Sequence, residues 1–144
     1  MKKTLAVFVF SFVSIVSQAQ KRKAHVSYMA IGKAIYAKHC QTCHQVDGSG
    51  AQNMIPPLIK TEYVLGPKEA LIKILLNGLN GELKVDRVTY GNEMSSQAIL
   101  TDREIAAVLT YVRKSFGNKA SLVHVAEVKK VRAFNKNTTP APKS

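Results

Sequence analysis

The 144 residues carry 21 Lys and Arg against 9 Asp and Glu, a formal charge of +12, with 46% hydrophobic and 21% charged side chains. That length holds one domain and that mix is globular, which excludes repeat arrays, collagen-like chains and multi-span membrane proteins. There is no Trp, and three of the five Phe (Phe8, Phe10 and Phe12) fall in the first twelve residues, so the rest of the chain has few large rings to organise a core.

Lys2 and Lys3 precede an apolar run from Leu5 to Val16, and Ser17-Gln18-Ala19 follow. A charged start, a short apolar stretch and small residues before a cut are the pattern of a secretory signal peptide. The run falls short of the ~20 residues that span a bilayer, which weighs against the alternative of an uncleaved membrane anchor. Residues 1–19 are therefore expected to be a signal peptide cleaved near Ala19 or Gln20, placing the protein in the periplasm. Cleavage after Ala19 removes Lys2 and Lys3, leaving 125 of the 144 residues at a formal +10 with no membrane span.

A linker over 20–26 leads into a domain expected over 27–118. Ser27 has the character of a helix N-cap, and Met29 to Cys40 reads as a helix with Ile31, Ile35 and Tyr36 on one side. Gly32 lies inside it, where glycine costs about 1 kcal/mol against alanine. Either the helix tolerates it, or Gly32 admits another helix at close range with Tyr36 one turn later contributing to the contact.

The only cysteines follow, in Cys40-Gln41-Thr42-Cys43-His44. An exported Cys pair suggests a disulfide, but so short a loop constrains the unfolded chain little. The spacing fits covalent haem attachment, in which two thiols add to the two porphyrin vinyl groups and the next His reaches the iron. A structural zinc site needs four ligands, and His25 and His39 would have to join awkwardly. A thioredoxin-like dithiol would follow a strand and precede a helix, whereas here a helix comes first and the loop Asp47-Gly48-Ser49-Gly50 comes after.

Met54-Ile55-Pro56-Pro57-Leu58 then reads as a rigid, extended, apolar segment, because proline disfavours helix in the residue before it. Such a segment can wall a flat cofactor with Leu58 and offer a backbone carbonyl to His44. Pro67 suits a first helical position, Leu71 to Leu76 make a buried helix, and Asn77-Gly78 ends it. Leu79 to Ser96 reads as a polar loop carrying Met94. Thr101-Asp102-Arg103-Glu104 is a capping box, and Ile105, Val108, Leu109, Val112 and Phe116 give an amphipathic helix stopped by Gly117-Asn118. Leu122, Val125, Val128 and Val131 suggest a short helix within an extension over 119–134, and 135–144 reads as a disordered tail.

A haem iron held by one His takes a sixth ligand or leaves that position open. Met94, 50 residues after His44 and just before a helix, suits the thioether arrangement of electron-transfer haems, the plainer alternative being a core gap-filler. Met54, His25 and His124 are the competing ligands.

These residues resemble a class I cytochrome c, over roughly Ser27 to Asn118: Gly32 and Tyr36, Cys40 to His44, Pro56-Pro57-Leu58, Met94, and the last helix with Tyr111. The resemblance implies an all-α cytochrome c-like fold, three to four core helices around one covalent haem c plus a short C-terminal helix. It implies that the first and last helices cross at Gly32 beside Tyr36 and Tyr111. It also implies that the segment from Pro56 to Leu58 supplies the carbonyl that orients His44, fixing the imidazole and making it more basic. Ser95 follows Met94 where many members have proline. The stretches Thr101 to Asn118 and Glu127 to Ala133 look like cytochrome domains that serve quinoprotein dehydrogenases or copper nitrite reductases, which implies a partner enzyme.

The expected function is a periplasmic mono-haem electron carrier and not an enzyme. Cys40 and Cys43 would hold the haem, His44 and Met94 the iron, and Pro56, Leu58 and Tyr36 would form or support the pocket. The mature charge predicts redox partners with acidic docking faces. Export and the scatter of the basic residues argue against nucleic acid, and the working unit is expected to be a monomer. The alternative is a haem enzyme or gas sensor with an open or weakly held sixth position, for which Ser95, Ser96 and Gln97 could supply a polar pocket.

Overall fold

Apolar residues at Ile31, Ile35 and Tyr36 recur at helical spacing, and the computed structural model, which describes residues 28–138 (136–138 by backbone alone), is helical over 28–39 (α1). The signal and linker expectations, the Ser27 cap, His25 and residues 139–144 lie outside the described residues. One turn follows α1 as α2 (Gln41–His44), then α3 (Glu62–Leu65) and α4 (Lys68–Asn77). A hairpin of β1 (Leu83–Val85) and β2 (Val88–Tyr90) comes next, and the chain ends in α5 (Asp102–Lys114) and α6 (Val125–Thr138).

The expected crossing of the first helix with the last helix of the domain is present. A side chain at Gly32 would run into the Ala107 carbonyl oxygen and lie 2.7 Å from Tyr111 Cβ, so α1 and α5 touch backbone to backbone. Around that contact Tyr36, Tyr111 and Phe116 form a ring cluster, with centroids 5.5 Å apart for Tyr36–Tyr111 and 5.3 Å for Tyr36–Phe116. Three rings therefore organise the junction in a chain otherwise poor in them.

The α5 capping box is formed. Thr101 accepts from the Glu104 backbone N–H while the Glu104 carboxylate accepts from the Thr101 N–H. Its Ile105, Val108, Leu109 and Val112 are buried, and they meet Leu71, Ile72, Leu75 and Leu76 of α4 in one core. Pro67 stands at the N-cap of α4 rather than inside it, and Gly78 at φ +73° closes the other end.

Three findings differ from the sequence expectations. The stretch expected to be a loop contains the β1–β2 hairpin, paired Leu83–Tyr90 and Val85–Val88, with Val85 and Tyr90 buried. Its two-residue turn, Asp86-Arg87, has positive φ at both positions (+48° and +71°), a conformation that Asn-Gly ordinarily signals. The C-terminal helix is not short: α6 has 14 residues and continues four beyond 134, into the stretch expected to be a tail. Its inward residues are Val128 and Val131, whereas Val125 is exposed. Val123, just before α6, is buried, with its N–H and carbonyl both bonded to the Thr110 hydroxyl.

Arg113 is buried, and its place on α5 gives no sign of this. Its guanidinium donates to the carbonyls of Val64 (2.6 Å), Gly66 (2.9 Å) and Ser121 (2.9 Å), so α5, the end of α3 and the approach to α6 share one donor set. Helix α6 lies against both α4 and α5. Lys68–Glu127 (2.9 Å) and Arg132–Asp102 (2.6 Å) border those contacts.

Replacing Gly32 by alanine tests the crossing. Helix propensity alone would favour Ala by about 1 kcal/mol. The clash with the Ala107 backbone opposes it and should win, lowering stability by about 1–3 kcal/mol, readable as a lower denaturant midpoint.

Candidate functional site

Cys40, Cys43 and His44 occupy one helical turn. Cys40 ends the first helical stretch with its N–H on Tyr36 O (2.9 Å), and its own carbonyl accepts from the N–H groups of Cys43 (3.2 Å) and His44 (2.9 Å). Residues at i, i+3 and i+4 share a helix face, so the two thiols and the imidazole are presented together. All three line a single cavity of about 340 Å³, within the range of cofactor sites.

The polypeptide after His44 doubles back to orient it. Gln45 has φ +65°, and the N–H of Gly50 returns to the His44 carbonyl at 3.1 Å. Gly50 is required here, because at φ +67° any side chain would strike the Ile55 and Pro56 carbonyl groups. Pro56 is thereby brought under the imidazole, and His44 Nδ1 donates to the Pro56 carbonyl at 3.1 Å. A carbonyl only accepts, so the proton sits on Nδ1 and Nε2 keeps its lone pair. Burial, opposed by the Pro56 bond, pushes the His44 pKa down, which favours the neutral ring that can bind a metal.

A second layer fixes this segment. Asn118 donates through Nδ2 to the carbonyls of Leu58 and Val112, both at 2.8 Å, and accepts from the Lys60 N–H at 2.7 Å. Tyr36 donates to the Gln45 carbonyl at 2.6 Å, and the Leu58 N–H donates to the Gly48 carbonyl at 2.7 Å. Pro56 and Leu58 line the cavity; Tyr36 does not, and acts from behind as a support. Sequence reasoning saw Asn118 only as a helix stop; a buried Asn just past a helix end, able to pair with three backbone groups, was the missed signal.

Met94 reaches the same cavity from the far end of the hairpin. Its backbone pairs with Leu79 in both directions, N–H to carbonyl at 2.9 and 2.8 Å, so the methionine segment is fastened to the exit of α4. Met54 also lines the cavity but is 52% exposed, whereas Met94 is packed against the core. The remaining lining is mostly apolar, from α4, α5 and the hairpin. Besides packing together, α4 and α5 turn part of their apolar faces toward this space, as a hydrophobic cofactor held inside the core requires.

The thiol chemistry fits haem better than its competitors. Burial, and next the neighbouring Cys43, push the Cys40 thiol up to about 11, the reverse of the depressed value that a redox dithiol uses. Among the described residues no three His, Cys, Asp or Glu side chains gather as a metal-binding cluster, as the zinc reading would need.

The cytochrome c family model matches residues 29–116. The chain belongs to the cytochrome c family. It is 36% identical to a cytochrome c-552 of Thermus thermophilus over 97% of this chain and 91% of that one. It is 34% identical to the cytochrome subunit of a fructose dehydrogenase from Gluconobacter japonicus, covering 73% of this chain but 22% of the subunit. The cytochrome c subunit of a quinone alcohol dehydrogenase from Gluconacetobacter polyoxogenes is 32% identical, again over 22% of its length. The protein is thus a cytochrome c electron carrier with covalently bound haem c, and the expected fold class holds with the small hairpin added.

Asn118→Leu should remove three hydrogen bonds at once and leave the Leu58 and Val112 carbonyls and the Lys60 N–H without this partner. A loss of about 3 kcal/mol is expected in denaturant unfolding of the holoprotein.

Proposed function

We propose that this cytochrome carries a single haem in the periplasm, after removal of residues 1–19, and passes electrons one at a time from a dehydrogenase or respiratory donor to an oxidase or reductase. Cys40 and Cys43 would hold the haem through thioethers, and His44 and Met94 would hold its iron. The observation that carries this reading is the convergence of these four side chains on one apolar cavity. When bound, haem c supplies the ferric–ferrous couple.

The chain's own residues do the rest. The Pro56 carbonyl holds the His44 ring in one tautomer and raises its basicity as a ligand. Leu58, Leu75, Val108 and Leu109 keep water from the cavity, and a polarisable thioether at Met94 favours the reduced state and a high potential. The paired backbones of Leu79 and Met94 hold the sulfur-bearing residue against the core, doing by hydrogen bonding what a proline after Met94 would do by restricting rotation.

Of the three polar side chains after Met94 that a peroxide-handling or gas-binding pocket could use, two are engaged with the backbone. Ser96 Oγ donates to the Leu76 carbonyl at 2.6 Å and accepts from the Ala98 N–H, while Gln97 Nε2 turns to the Ser95 carbonyl. That favours the carrier over the enzyme or sensor.

The two dehydrogenase cytochrome subunits among the relatives support a dehydrogenase as donor. The excess of Lys and Arg supports partners with acidic docking faces and a monomeric working unit. Among the described residues no helix is long and apolar enough to cross a membrane.

Three measurements test this. The oxidised protein should show the weak far-red sulfur-to-iron band, and its reduced form should not bind carbon monoxide at neutral pH. Met94→Ala should lose the band and gain carbon monoxide binding; a wild-type protein that binds the gas rapidly would contradict the carrier. The rate of electron exchange with an acidic redox partner should fall as salt rises from about 0.01 to 0.2 M, and a flat profile would contradict charge-guided docking.

A further inference from the structure

Helix α6 lies beyond the span that matches the family, which ends at residue 116, so the family match assigns it no role. Two of its polar contacts nevertheless fall on the segment that carries Met94. After Met94 the chain runs Ser95-Ser96-Gln97-Ala98-Ile99 without a proline, and Ile99 is 86% exposed. On one side this run is tied to the end of α4, through Ser96 Oγ to the Leu76 carbonyl and the Gln97 N–H to the Leu75 carbonyl (2.7 Å). On the other side a single guanidinium holds it. Arg132 of α6 donates from Nη1 to the Ala98 carbonyl (3.0 Å), from Nη2 to the Leu100 carbonyl (2.7 Å), and from Nε to Asp102 Oδ1 (2.6 Å).

The opposite rail is held as well. Asn135 donates to the Asn77 side-chain oxygen at 2.7 Å, at the last residue of α4. Gly78 comes next, and any side chain there would strike the Met94 carbonyl and lie 2.8 Å from the Ser96 nitrogen. The rail then pairs with Met94 through Leu79.

We propose that α6 is a clamp on the Met94 segment, with Arg132 as a positioning residue that keeps the methionine on the iron. This rests on the reading of Met94 as the sixth ligand. A guanidinium fork suits the task, because its planar donors reach two carbonyls and a carboxylate at once, which a lysine cannot. The clamp acts on the equilibrium between a closed segment and an open one that exposes the iron. An external ligand binds only the open form, so its apparent affinity scales with the open fraction.

The test is imidazole titration of the ferric holoprotein, followed through loss of the far-red band. Arg132→Met should bind imidazole about tenfold more tightly than wild type. Lys68→Met is the control, since it cuts the Lys68–Glu127 bond of the same helix at the end away from Met94, and it should leave imidazole affinity unchanged. Arg132→Lys retains the charge beside Asp102 without the fork and should fall between wild type and Arg132→Met. It also carries the comparison if Arg132→Met yields no holoprotein. Equal tightening in the Arg132 and Lys68 variants, or none in the Arg132 variants, would overturn the clamp while leaving Met94 as ligand. A wild-type protein without the far-red band would instead remove the Met94 reading on which the clamp stands.

Discussion

The hydrogen bond from His44 Nδ1 to the Pro56 carbonyl is the contact around which the cavity is arranged. It joins two stretches twelve residues apart, and the chain between them has to reverse to make it. Gln45 and Asn53 accept positive φ, and Gly48 and Gly50 supply the backbone room. The outer supports exist to keep that reversal in place: Asn118 grips the segment after Pro56, and Tyr36 holds the Gln45 carbonyl. Behind Gly48 the Phe116 ring packs so closely that a Cβ there would come within 2.8 Å of it. The result is an imidazole whose Nδ1 proton is fixed by a carbonyl, leaving Nε2 turned out as an acceptor.

The rest of the fold is a shell. Helices α4 and α5 bury one side of their apolar faces against each other and turn the remainder toward the cavity, so the cofactor completes the core rather than occupying a surface cleft. That explains how a chain with no Trp and few aromatics in its described part can still enclose a site: the three rings it spends at the α1–α5 junction fix the crossing, and a haem supplies the large flat surface that side chains do not. It also explains why α6 is long. Without it, the outer faces of α4 and α5 and the run after Met94 would lack their cover on that side.

Much of this was legible in the sequence, because the signals were local or chemically rare. The Cys40–His44 spacing, the capping box at Thr101 and the glycine at position 32 each constrain a few neighbouring residues, and each matches the geometry found. Two prolines made an extended segment able to offer His44 a carbonyl legible as well. The assignment of that carbonyl to the stretch from Pro56 to Leu58 rested instead on the resemblance to class I cytochromes c. What escaped depended on distant partners or on unusual backbone. Asp86-Arg87 adopts a hairpin turn without the glycine that announces one, and Arg113 is buried only because the carbonyls of Val64, Gly66 and Ser121 converge on it. Asn118 likewise draws its meaning from Leu58 and Lys60, about sixty residues away. The length of α6 was hidden by its weak periodicity and by polar residues after Ala133, which suggest a tail when read without the Asn77 and Arg132 contacts.

The central claim is that the cavity is completed by a haem bonded to the chain through Cys40 and Cys43. The most direct test is acid–acetone extraction of the purified protein, followed by a pyridine spectrum of what stays with the polypeptide. The account predicts that one haem per chain resists extraction and gives the spectrum of a porphyrin whose two vinyl groups have become thioethers. Haem that leaves with the solvent, or a polypeptide that never held any, would contradict it and return the two cysteines to thiol chemistry.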